Sequence, residues 1–216
     1  MESRGRRYGV VLALVIASTV FQLVVSSADG PRFVVIALQA ATLVAAVRAA
    51  RVRRVGVRLA AAIAALAVLG SLGTWIAAGE IPYAFAAVVG LLLVAVAPPV
   101  LAVGMVNDLR ATREVSLHTL AGVLAIYLLI GMLFSFTYGV IDAVDASALF
   151  ADRADSTSAE RLYFSFVTLS TVGYGDFSPG SDGSRALAVC EMLIGQIYLV
   201  TIVSLIVANL GRRRPA

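Results

Sequence analysis

Residues 168–177 read TLSTVGYGDF, a polar, glycine-containing run in a chain whose other long stretches are apolar. Within it, Thr171, Val172, Gly173, Tyr174 and Gly175 offer backbone rather than reactive side chains. The two glycines allow dihedrals that side-chain-bearing residues avoid, so consecutive carbonyls can be turned to one side. Oxygens aimed at a common axis can replace the water shell of a dehydrated monovalent cation. At membrane depth, irregular backbone is tolerated only where it is buried in protein or lines a water-filled path.

Such a run needs a support. Thr157 and Glu160 have the three-residue spacing of a capping box and predict a short helix that starts there and ends near Ser170. Roughly eleven helical residues rise about 16 Å, half a bilayer, so the apolar patch 162–169 should enter and return rather than cross. The carbonyl end of that helix would point into the membrane interior and favour a cation.

The rest of the chain supplies the solvent. It is 60% hydrophobic and 14% charged over 216 residues, with a mean hydropathy of +0.94, and its apolar runs are longer than one soluble core could bury. The expected fold is all-α and membrane-embedded. A span needs about 20 apolar residues, and 10–27, 33–50, 59–78, 82–106, 117–141 and 185–210 qualify. All seventeen basic residues are Arg, and thirteen fall at the N-terminus, in the second-to-third and fourth-to-fifth connections, and in the tail. Arg32, Arg153, Arg161 and Arg185 fall on the other side with most of the acidic residues. The positive-inside rule then puts both termini in the cytoplasm of a multi-pass cell-membrane protein. The start of the chain, basic, then apolar, then small-residue, also has the layout of a cleaved secretory leader over 1–28, although its apolar run is long for one. N-terminal sequencing of the mature chain separates these readings. The bias towards Ala, Val, Gly and Arg points to a GC-rich bacterial genome. Cys190, the single cysteine, is expected to be a small buried hydrophobe.

TVGYGD between a short helix and a following membrane helix resembles the selectivity filter of potassium channels. Residues 117–210 resemble that family's whole pore module of outer helix, pore helix, filter and inner helix, somewhat under half of the chain. The fuller likeness is to six-transmembrane prokaryotic potassium channels. It implies that the carbonyls of Thr171, Val172, Gly173 and Tyr174, with the Thr171 hydroxyl, coordinate K+. It also implies that Gly175 completes the strand geometry, that Asp176 lies at the outer mouth, and that Tyr163, Phe164 and Phe166 pack with Tyr174 behind the filter. One filter copy per chain implies a homotetramer of four-fold symmetry. K+ would be the permeant ion, with no cofactor and no nucleic-acid partner. The implied organisation is a cytoplasmic N-terminus (1–9), a four-helix sensor-like membrane domain (10–106), a cytoplasmic linker (107–116), the pore domain (117–210) and a cytoplasmic tail (211–216).

Several residues stay open. Gly195 is a gating hinge, a site of close helix packing, or both. Glu191, the one acidic residue placed within a span, either faces the pore helix, where Ser165 or Thr168 could hydrogen-bond it, or faces the conduit as a cation site; polar partners favour the first. Leu199, Val203 and Val207, at helical spacing, are candidates for an apolar inner gate. The fourth segment has no basic residue and contains Pro98 and Pro99, so the gating charges of voltage-gated relatives are missing and steep voltage dependence is not expected. Arg48–Arg58 reads as a topology anchor or a contact for anionic lipid. His118, the only histidine, is expected to be a solvated interfacial residue rather than a proton-coupled switch. With GRRRPA alone after Leu210, a ligand-binding cytoplasmic domain is not expected. No phosphate-binding loop, metal cluster or activated nucleophile suggests an enzyme. The functional reading is passive K+ conduction, with a potassium uptake transporter subunit or a non-conducting regulatory subunit as alternatives.

Overall fold

The computed structural model describes residues 2–24, 32–78, 81–112, 115–144, 149–152 and 155–210. They form α1 (Glu2–Val24), α2 (Arg32–Ala49), α3 (Arg54–Ala78), α4 (Tyr83–Thr112), α5 (Leu117–Val144), α6 (Ser158–Leu169), α7 (Asp182–Ile197), a π-helical stretch (Tyr198–Val203) and α8 (Ser204–Ala208). Among the described residues there are two isolated β-bridges and no strand. Six helical stretches are long and apolar enough to cross a membrane, the last running without a break through α7, the π-helical stretch and α8. The twelve-residue α6 is the short helix expected before the glycine run.

Element ends follow from local chemistry. α4 continues about two turns beyond its apolar segment, so 107–112 are helical, and the Tyr8 hydroxyl anchors that extension by donating to Asp108 Oδ2 at 2.9 Å. α7 starts at Asp182 because Ser181 and Ser184 form a reciprocal capping box. Arg113, Arg153 and the tail with Arg212, Arg213 and Arg214 lie outside the described residues, as do Asp29, Glu80 and Asp145.

Helices α1 and α4 pack on α5, while α2 packs against α1, α3 and α4. Three apolar clusters hold the chain together. Val11, Val15, Leu101, Leu129 and Met132 are sealed between α1, α4 and α5. Ile36, Leu43, Val47 and Leu93 join α2 to α4 and, through Ala60 and Ala64, to α3. A third cluster, Phe134, Tyr138, Phe150, Phe164 and Ala188, ties α5, α6 and α7 to the segment before α6. The last of these frames the glycine run.

Candidate functional site

The capping box of α6 is complete: Thr157 Oγ1 accepts from the Glu160 N–H at 3.2 Å, and Glu160 Oε2 accepts from the Thr157 N–H at 2.8 Å. The helix ends at Ser170. Beyond it the backbone alternates in hand, with φ of +59° at Thr171, +58° at Gly173 and +81° at Gly175, and negative φ at Val172 and Tyr174 between them. In an ordinary strand φ keeps one sign and carbonyls alternate sides; reversing the sign at every second residue turns them the same way. Three of the N–H groups bond back to the helix. Thr171 N donates to Thr168 O at 2.9 Å, Val172 N to Val167 O at 3.0 Å and Gly173 N to Val167 O at 3.4 Å. These bonds engage the Val167 and Thr168 carbonyls of α6, while the carbonyls of residues 171–175 make no backbone hydrogen bond among the described residues. Thr171 is the surprise, because a β-branched residue at positive φ stores strain of about 1–3 kcal/mol.

The run is open on one side, with Val172 52% and Tyr174 71% exposed. On the other it rests on a chain of aromatic rings. Tyr163 stacks on Tyr174 with centroids 6.4 Å apart and planes 9° from parallel, and meets Phe177 at 5.7 Å. Phe177 leads to Phe150 at 5.0 Å, Phe150 to Phe164 at 5.3 Å and Phe164 to Tyr138 at 5.1 Å. The Tyr163 hydroxyl is pushed above its ordinary pKa, first by its hydrogen bond to Asp176 and then by burial. The Phe166 ring packs on Gly131 of α5.

Of the two settings open to Glu191, the structure has it against the pore helix, fully buried. Tyr138 donates to Glu191 Oε2 at 2.8 Å, and Ser165 Oγ lies 2.5 Å from Oε1 and 2.7 Å from the Gly131 carbonyl. One carboxyl thus joins α5, α6 and α7 directly behind the glycine run. Thr168 is not among its partners. One turn further on, Gly195 is buried with its Cα against the end of the pore helix: a β-carbon there would collide with the Leu169 carbonyl oxygen and approach Leu169 Cδ1 to 2.9 Å. Close packing therefore accounts for this glycine.

The remaining inner-helix residues divide. Val203 packs on the α1–α4–α5 cluster, Leu199 is half-buried and Val207 is 52% exposed, so the three do not form one free row. Cys190 is exposed, contrary to the expectation of a buried hydrophobe, because Glu191 rather than its neighbour takes the inward position. His118 is exposed at the start of α5.

A second support was not read from the sequence. Arg161, in the first turn of α6, is only 3% exposed. Its Nη1 reaches Asp142 Oδ2 at 3.1 Å and the Ser156 carbonyl at 2.7 Å, and its guanidinium lies 4.4 Å over the Tyr83 ring of α4. The Tyr83 hydroxyl donates to Gly139 O at 2.9 Å. Burial lowers the Arg161 pKa, while Tyr83 and Asp142 hold it up. A cation at a helix N-terminus opposes the helix dipole, and that mismatch was the available signal that Arg161 has an acidic partner.

The fold and this site define a multi-pass membrane protein in which a short helix leads into a glycine-containing loop. The family model described as "Ion channel" matches residues 122–212. "Protein LctB" of Bacillus caldotenax is 34% identical over 102 residues, covering 44% of this chain and 75% of that protein. The chain belongs to this ion-channel family. "Two pore potassium channel a" of Oryza sativa subsp. japonica is 36% identical over 81 residues, 38% of this chain. The mouse "Potassium channel, subfamily K, member 16" is 32% identical over 84 residues, 35% of this chain. The chain spans only 21% and 29% of the length of those two relatives. No solved structure matches it significantly.

Proposed function

We propose that the chain is the subunit of a potassium-selective channel of the cell membrane, with both termini cytoplasmic. Four identical chains would bring their 171–175 runs around one axis, and the carbonyls of Thr171, Val172, Gly173 and Tyr174 would replace the water around dehydrated K+. The observation that carries this is the alternating hand of the backbone over 171–175, with its carbonyls free of backbone hydrogen bonds among the described residues. The names of the rice and mouse relatives support the choice of ion. Gating by voltage would be weak: α4 carries no basic residue before Arg110 in its last turn, and each charge moved contributes about 2.3 kcal/mol per 100 mV.

The test is flux through liposomes holding the purified full chain under opposed K+ and Na+ gradients. The reversal potential should follow K+. Gly173→Ser, which puts a side chain at φ +58°, should abolish the current or its selectivity. A wild-type reversal potential that follows Na+ equally would overturn the proposal.

A further inference from the structure

Between Asp29 and Glu80 the chain has six arginines and no acidic residue. Five of them, Arg48, Arg51, Arg53, Arg54 and Arg58, gather where α2 ends and α3 begins. All five are exposed, and none makes an ion pair among the described residues. A topology signal explains their sign but not what lies beside them.

Helices α1 and α3 each pack on α2 without touching each other. The short side chains of α2 leave the strip between them open as a groove of about 420 Å3. Ala41, Val44 and Ala45 form its floor, Leu14 of α1 and Ala64 of α3 wall it, and Arg48 closes the row at the arginine-rich end. From Ala41 to Arg48 the helix rises about 10 Å, and an unbranched hydrocarbon chain laid along it meets apolar side chains until Arg48.

We propose that this groove holds one acyl chain of an anionic glycerophospholipid whose phosphate sits on Arg48 and the neighbouring guanidiniums. Shape and charge agree at one spacing: an apolar trench running along the helices, closed by an uncompensated cation at the depth of the headgroups. Zwitterionic lipid would fit the trench but leave the arginine cluster without net countercharge. The site is remote from the 171–175 run and holds whether or not the pore conducts.

The test is native mass spectrometry of the delipidated full chain after exposure to phosphatidylglycerol or phosphatidylcholine of identical acyl chains. Phosphatidylglycerol should bind about ten-fold or more tightly than phosphatidylcholine. Arg48→Gln should weaken it about five-fold. Ala41→Phe fills the groove at an exposed position with every charge kept, and should reduce phosphatidylglycerol retention to the phosphatidylcholine level. Glycerol phosphate, a headgroup without a chain, should not compete. Equal retention of the two lipids, unchanged binding in Ala41→Phe, or displacement by glycerol phosphate would each overturn the proposal. Should Ala41→Phe fail to fold, Arg48→Gln decides, and an unchanged lipid ratio in that variant refutes it.

Discussion

Helix α3 and the inner rod formed by α7, the π-helical stretch and α8 are equally bare, each with 17% of its span buried within the chain. What they expose is different. Beyond Arg58, every exposed residue of α3 is apolar or glycine, with Leu59, Ile63, Leu66, Leu69 and Ile76 prominent. The inner rod exposes Leu193, Val200 and Leu205 but also Gln196, Thr201 and Ser204. Thr201 and Ser204 turn their hydroxyls back onto the Ile197 and Leu199 carbonyls. Gln196 makes no hydrogen bond among the described residues. Hydrocarbon satisfies the first kind of surface. The second needs water or another protein surface, as expected of a helix that lines a conduit or an interface. Bareness in a single chain is thus two properties, told apart by composition and by what sits on the buried side.

The buried sides differ as sharply. Ser184, Ala188, Glu191 and Gly195 make a narrow seam on α7 that touches the pore helix and its surroundings, whereas α3 meets α2 through Ala60 and Ala64. The largest effect should therefore come from closing that seam. Gly195→Ala forces a methyl group onto the Leu169 carbonyl and should cost about 3 kcal/mol, read as loss of thermal stability in detergent together with loss of ion flux. Gly73→Ala on α3, with nothing within 4 Å of the added carbon, should leave stability unchanged or raise it by about 0.5–1 kcal/mol. Equal responses would erase the distinction.

Next in size is Glu191→Ala, which leaves the buried Tyr138 and Ser165 hydroxyls without their shared partner and should cost about 2 kcal/mol. Glu191→Gln keeps the volume and a hydrogen-bonding end and should recover most of that loss, along with the K+ to Na+ permeability ratio. If Ala and Gln behave alike, the carboxyl does not position the pore helix. The smallest effects should come from the bare faces themselves. Leu66→Gln should lower stability by about 1–3 kcal/mol with no change in selectivity. Gln196→Leu should shift stability by less than about 0.5 kcal/mol while changing the K+ current in liposomes. A current untouched by Gln196→Leu would place that residue against lipid.

Much of this was legible in the sequence wherever the signal was local. The six spans stand out by apolar length, and the start of the pore helix by Thr157 and Glu160, because capping involves residues three positions apart. What stayed hidden depends on which helices meet. Tyr138 carries no mark of being the partner of Glu191 53 positions away. Phe150 has no mark of linking Phe164 to Phe177. Gly195 reads as a hinge, a packing contact or both, and nothing local to it names Leu169 as the residue it packs on. The positive φ of Thr171 could not be expected from a β-branched residue whose neighbours include two glycines better suited to it. It is imposed from outside, by N–H groups drawn back onto the pore helix.

Diffraction from crystals of the assembled protein grown in Rb+ or Tl+ tests the ion-coordinating role most directly. Anomalous peaks should lie on a four-fold axis, each enclosed by carbonyl oxygens of Thr171, Val172, Gly173 or Tyr174 from four chains. An axis without peaks, carbonyls turned away from it, or an assembly of any number other than four would contradict it.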